Sequence, residues 1–152
     1  MTGLWFEECE EGLEIDHPIR RTVTEMDNML FSALTYNPQP LHIDRHYAET
    51  QTEFGAPLMN SLFTLGLMIG ISVNETTLGT IVANLGMTEV KFPHPVFQGD
   101  TINVKTMVLG SRASKSRPEA GIVEFSHEAF NQAGKLVAVC KRQVLMRRGE
   151  TG

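Results

Sequence analysis

The spacing of apolar residues changes near the middle of the chain. In the first half they recur every three or four residues, and in the second they alternate with polar ones. Residues 13–23 contain β-branched side chains and predict a short first strand. Thr24, with Asp27 three residues on, has the form of a helix N-cap with an acidic third position. Met26, Met29, Leu30, Ala33 and Leu34 follow at helical spacing. That helix must end before Pro38 and Pro40, because proline disfavours helical geometry in the residue before it. Residues 44–54 predict a second helical stretch, stopped near Gly55 and Pro57. Asn60 or Ser61 offers a cap for a third helix over 62–73. Leu62, Phe63, Leu65, Leu67, Met68, Ile69 and Ile71 make it apolar nearly all round, which predicts burial on all sides.

Five strands are predicted after it, over 80–85, 88–92, 100–109, 121–131 and 135–146. Ile102, Val104, Thr106 and Val108 alternate with polar neighbours, the period of a half-buried strand, as do Val123 and Phe125. Asn131-Gln132-Ala133-Gly134 has the form of a hairpin turn with glycine late, where positive φ is needed. Residues 111–121, with Arg112, Lys115, Arg117 and Pro118, predict a longer exposed loop. The expected fold class is α+β, a mostly antiparallel sheet curled round one buried helix.

Composition narrows the picture. With 152 residues, 41% hydrophobic and 20% charged, the chain is expected to form a single domain over 1–152 with a core of its own. Its net charge of −5 argues against nucleic acid and anionic membranes as partners, since both call for a basic face. The longest apolar run, over 65–73, is about half of the roughly 18 residues needed to span a bilayer. The acidic cluster Glu7-Glu8-Cys9-Glu10-Glu11 lacks the character of a signal peptide. Cys9 and Cys140 make neither a metal spacing nor a disulfide framework and are expected to be reduced thiols in a cytoplasmic protein.

Two stretches offer chemistry. In Asn37-Pro38-Gln39-Pro40-Leu41-His42-Ile43-Asp44 a proline-stiffened loop holds His42, whose charge can change near neutral pH. The alternative is a surface histidine beside a helix start. In Lys91-Phe92-Pro93-His94-Pro95-Val96-Phe97-Gln98-Gly99-Asp100 a strand end leads through prolines to a glycine turn, which a purely structural role also explains.

The order of these stretches resembles the MaoC-like hydratases of the hot-dog fold over essentially the whole chain. That family's signature runs Gly-Asp-x-Asn-Pro-x-His-x-Asp, then an alanine, a phenylalanine-glycine, a proline and the buried helix. Gln39-Pro40-Leu41-His42-Ile43-Asp44 matches its second half, with glutamine for asparagine. Ala48 and Phe54-Gly55-Ala56-Pro57-Leu58 follow in place, and residues 91–101 match the family's later strand and turn. The resemblance implies an acyl-CoA substrate, water added or removed across the α,β double bond, and a homodimer or a multiple of one. It implies no metal and no cofactor beyond the coenzyme A of the substrate. His42 takes the place of the catalytic histidine. Asn60 and Ser61 stand at the helix start whose N–H groups face the thioester carbonyl, where the family usually has histidine-glycine.

Asn37 stands where the family has its catalytic aspartate, five residues before His42. An asparagine amide hydrogen-bonds a water but does not accept its proton at neutral pH. His42 is then the sole base, or the substrate supplies a group, or the protein binds acyl-CoA without turning it over. The motif, with Gln39 and the later Ser114-Lys115-Ser116-Arg117-Pro118, resembles the mesaconyl-CoA hydratase and β-methylmalyl-CoA dehydratase branch, which handles branched dicarboxylic acyl groups. Arg45 and Arg117 are candidates to meet such a carboxylate, Arg117 equally the coenzyme A phosphates, and solvated surface charge is the alternative for both. A thioesterase would want an acidic residue on the buried helix, and residues 62–73 have none.

Overall fold

Thr24 opens helix α1 (Glu25–Leu34) with a reciprocal pair of bonds in the computed structural model, which describes residues 3–149. Its hydroxyl accepts the Asp27 N–H at 3.3 Å, and the Asp27 carboxylate accepts the Thr24 N–H at 2.8 Å. The face of α1 that turns inward is not the one expected. Asn28 and Ser32 are buried, whereas Met26, Leu30 and Leu34 are exposed.

The proline-stiffened stretch is a single helical turn, α2 (Pro40–Ile43), rather than a loop, with Pro40 at a position where a missing N–H costs nothing. Asp44 then caps α3 (Arg45–Gln51) by accepting the Tyr47 N–H at 2.9 Å. This helix stops three residues short of the expected Phe54. Asn60 caps α4 (Ser61–Thr76), its side chain accepting the Leu62 N–H at 3.0 Å. The helix runs a further turn past the expected end at Val73 and is buried on one face only. Thr64, Met68, Ile71, Ser72 and Thr76 face the sheet, while Gly66 and Gly70 are exposed and Leu62 is 59% exposed. One sheet has too few strands to close round the far side.

The expected first strand is two, β1 (Glu14–Asp16) and β2 (Arg21–Thr22), broken around Pro18, which has no N–H for a ladder. Both pair with β4 (Thr101–Ala113). The two strands expected over 80–85 and 88–92 are one, β3 (Ile81–Lys91), interrupted by three register shifts rather than by a turn. Glu89 takes up part of this irregularity at φ +50°. β4 outruns its expected end at Leu109, so the exposed loop shrinks to 114–119 before β5 (Ala120–Phe130). Asn131 to Gly134 turns the chain into β6 (Leu136–Arg147), with Gly134 at φ +73°. The sheet is antiparallel throughout, in the order β1-β4-β5-β6-β3 with β2 beside β1 on β4. Among the described residues no helix is long and apolar enough to cross a membrane.

α4 packs on β4, β5 and β6. Two apolar clusters form on the sheet. One, beneath α4, gathers Met68, Ile71, Val104, Ala129 and Cys140; the other, packed by Leu4, Phe6 and Leu13, gathers Cys9, Val108, Phe125 and Val144. Between them each central strand turns one polar residue inward: Thr106 on β4, His127 on β5, Arg142 on β6. His17 joins this layer, bonding Thr106 through Nε2 at 2.8 Å and Glu75 of α4 through Nδ1 at 2.6 Å. Cys9 and Cys140 are buried free thiols, and burial pushes the Cys9 thiol up to about 11.

Candidate active site

Leu58 is the hinge of the site. It bridges to Phe97 beside the turn that leads into β4, and Met59 donates its N–H to the Val96 carbonyl at 2.8 Å. These bonds hold the segment before α4 against the residues before β4. The Leu58 carbonyl points at α2, where His42 Nδ1 lies 2.8 Å away. A carbonyl only accepts, so Nδ1 carries the proton of the neutral ring. Nε2 is then the lone-pair nitrogen, free to take a proton. Asn28 shares the same carbonyl, with Nδ2 2.8 Å from it, 2.9 Å from the His42 carbonyl, and Oδ1 2.9 Å from the Asn60 N–H.

The start of α4 lies next to this arrangement. Asn60 consumes the Leu62 N–H, which leaves Ser61 and Phe63 as first-turn N–H groups without an intrahelical acceptor. With the positive end of a 16-residue helix behind them, they suit an oxygen that gains negative charge. A cleft of about 270 Å³ opens there, lined by Leu58, Ser61 and Thr64 together with Phe54, Phe92 and His94. Its walls are mostly apolar, and its size suits an acyl group rather than a whole coenzyme A thioester. His42 stands beside this cleft, joined to it through Leu58, and does not line it.

The remaining sequence candidates are spread more widely. Asn37 folds back on its own turn: Oδ1 accepts the Gln39 N–H at 3.1 Å, and the residue lines a shallow depression with Met29, Tyr36 and Ile43. Gln39 is the N-cap residue of α2 and makes no capping bond through its side chain. Arg45 lies exposed between Glu25 at 3.0 Å and Glu49 at 3.6 Å. Arg117 pairs with Glu119 at 2.8 Å in the loop between β4 and β5. The strand pairs Asn103–Phe130 and Ala113–Gly121 mark the two ends of that hairpin. They stand ten residues apart, about 33 Å at strand rise, and His42 is at the other end from Arg117. Within one chain Arg117 is therefore out of reach of a thioester at His42. Asn28, the Leu58 carbonyl and His94 belong to the site as well, although none was a sequence candidate. Only His94 had a local signal, as a titratable side chain between two prolines.

Comparison with known proteins decides the family. Residues 8–129 match the family described as MaoC like domain. The chain belongs to the MaoC-like domain family. This MaoC-like domain is 31% identical to mesaconyl-CoA hydratase of Cereibacter sphaeroides over 98% of its own length and 43% of that protein's. It is 29% identical to an (R)-specific enoyl-CoA hydratase of Rhodospirillum rubrum, over 88% of this chain and 85% of that one. It superimposes with a TM-score of 0.88 and 21% identity on a Mycobacterium tuberculosis protein with a double hotdog fold, covering 99% of this chain and 46% of that one. Its fold is accordingly the hot-dog. The chain spans less than half the length of the mesaconyl-CoA hydratase it matches.

Proposed function

We propose that this chain adds or removes water across the α,β double bond of an acyl-CoA thioester. The observation that carries the reading is the bond from His42 Nδ1 to the Leu58 carbonyl, which leaves Nε2 as a base beside the N-terminus of α4. In hydration, Nε2 takes a proton from water as the oxygen bonds to the β carbon. The electron pair of the double bond moves towards the thioester oxygen, where the Ser61 and Phe63 N–H groups stabilise the enolate. The same proton returns from Nε2 to the α carbon. Removal of water runs these steps backwards.

The substrate proposed is a short acyl-CoA, branched or dicarboxylic. The similarity to mesaconyl-CoA hydratase and the modest size of the cleft both support it. The half-exposed outer face of α4 and the open edge of β3, with Leu85 half exposed, support a working homodimer of single-domain subunits. Sedimentation of a monomer at micromolar concentration overturns that part of the reading.

A panel of enoyl-CoAs tests the reaction. Loss of absorbance of the conjugated double bond is the expected result. Release of thiol means hydrolysis instead, and binding without either change means a non-catalytic acyl-CoA module, the second reading that Asn37 favours. Hydrolysis has little support, because the acid on α4, Glu75, lies 14 residues from Ser61, about 21 Å along the axis, and is bonded to His17.

A further inference from the structure

Asn28 is fully buried on a helix whose Met26, Met29, Leu30 and Leu34 side chains point outward. A buried amide is costly unless its donors and its acceptor find partners. Every bond that Asn28 makes through its side chain runs to the same end of the fold. Nδ2 donates to the carbonyls of His42 and Leu58, and Oδ1 accepts the Asn60 N–H. The partners settle which way the amide points: two carbonyls meet only the NH₂ group, and an N–H meets only the oxygen. The Leu58 carbonyl is also the acceptor for His42 Nδ1. One side chain thus grips the backbone of His42, the group that orients the His42 ring, and the residue that caps α4.

We propose that Asn28 is a positioning residue for the hydration, holding His42 with Nε2 unprotonated and in fixed register with the first-turn N–H groups of α4. This rests on His42 being the base. The base and the enolate donors sit on separate helices, α2 and α4, and Asn28 on a third ties them together. A displacement of about 1 Å between such groups costs on the order of 10²-fold in rate. Ser32, the other buried residue of α1, has no hydrogen-bond partner for its hydroxyl and does no such work.

The test compares wild type, Asn28→Ala, Asn28→Asp, His42→Ala and the double variant Asn28→Ala/His42→Ala, with crotonyl-CoA as probe and nitrogen NMR of the His42 ring. Asn28→Asp keeps the size and the acceptor for Asn60 but turns a carboxylate towards two carbonyls. Both Asn28 variants are expected to lose at least about 10-fold in kcat, with KM changed by less than about 3-fold. The wild-type neutral ring is expected to show the Nδ1–H tautomer alone, and Asn28→Ala a mixture. The double variant is expected to match His42→Ala, because Asn28 acts through His42. Wild-type kcat in Asn28→Ala, an unchanged tautomer, or losses that multiply in the double variant overturn the proposal. Should Asn28→Ala not fold, Asn28→Ser, which keeps one donor, carries the same measurements. Full turnover by His42→Ala overturns the base itself, and the tautomer result, which needs no turnover, then decides on Asn28 alone.

Discussion

The Thr106 hydroxyl and His127 Nδ1 meet 2.8 Å apart across β4 and β5, in the buried polar layer between the two apolar clusters. Burial, with Arg142 and His17 nearby, pushes the His127 imidazole down from 6.5 to about 3. The folded ring stays neutral at pH values where the unfolded ring takes a proton. Between about 6.5 and 3 the unfolded state therefore binds more protons, and stability falls as pH falls through that window. A loss on the order of 3 kcal/mol is expected between pH 6.5 and 4. His127→Gln, which keeps a hydrogen-bonding group and cannot titrate, should flatten the slope. Urea midpoints measured across pH 4–8 check it, and equal slopes for the two proteins would contradict it.

His42→Ala should lower kcat by at least about 10²-fold, the lower end of what a general base contributes. His42→Gln should fall similarly, since a glutamine can hold a water but not take its proton. Asn37→Asp restores a carboxylate five residues before His42, and turnover of simple enoyl-CoAs should rise. Undiminished turnover by a folded His42→Ala would sink the mechanism.

Met68 is fully buried where α4 faces the sheet. Met68→Ala should cost about 2–5 kcal/mol. Met68→Lys should cost more, since an unpaired ammonium in this core approaches the whole stability of a domain. Normal expression and melting of Met68→Lys would be the contrary result.

A second carboxylate on the substrate needs a cationic or hydrogen-bonding partner within the cleft. His94 lines it; Arg45 is held by Glu25 and Glu49, and Arg117 sits at the far end of the hairpin. His94→Ala should raise KM for mesaconyl-CoA several-fold more than for crotonyl-CoA. Arg45→Gln should change neither by more than about 2-fold and should cost under about 1 kcal/mol of stability. Equal effects of His94→Ala on both substrates would exclude that role.

What was legible in the sequence is what neighbours along the chain decide. Thr24 with Asp27, Asp44 with Tyr47 and Asn60 with Leu62 are contacts within three residues, and each helix start followed from them. The MaoC-like resemblance located His42 because its motif is equally local. The inward face of α1 was not legible. Met26, Met29, Leu30 and Leu34 form the more apolar stripe, and Asn28 wins the interior through bonds to His42, Leu58 and Asn60, fourteen to some thirty residues on. The partner of the His42 ring is a backbone carbonyl, which no residue type announces. The gap between the strands expected over 80–85 and 88–92 is a register shift within β3, and only pairing with β6 distinguishes it from a turn.

That pairing sets an order of events. β4, β5 and β6 follow one another as hairpins, so each finds its neighbour as soon as it is made. β3 precedes all three, yet its partner is β6, and it is complete more than 40 residues before that partner begins. On the ribosome, β3 with Val82, Leu85 and Val90 must wait without a ladder until residue 147 has emerged. The edge is closed by a long loop in sequence, the kind of contact that forms slowly and leaves a strand open to wrong partners meanwhile. Chaperone dependence and aggregation of nascent chains should trace to 81–91 rather than to α4.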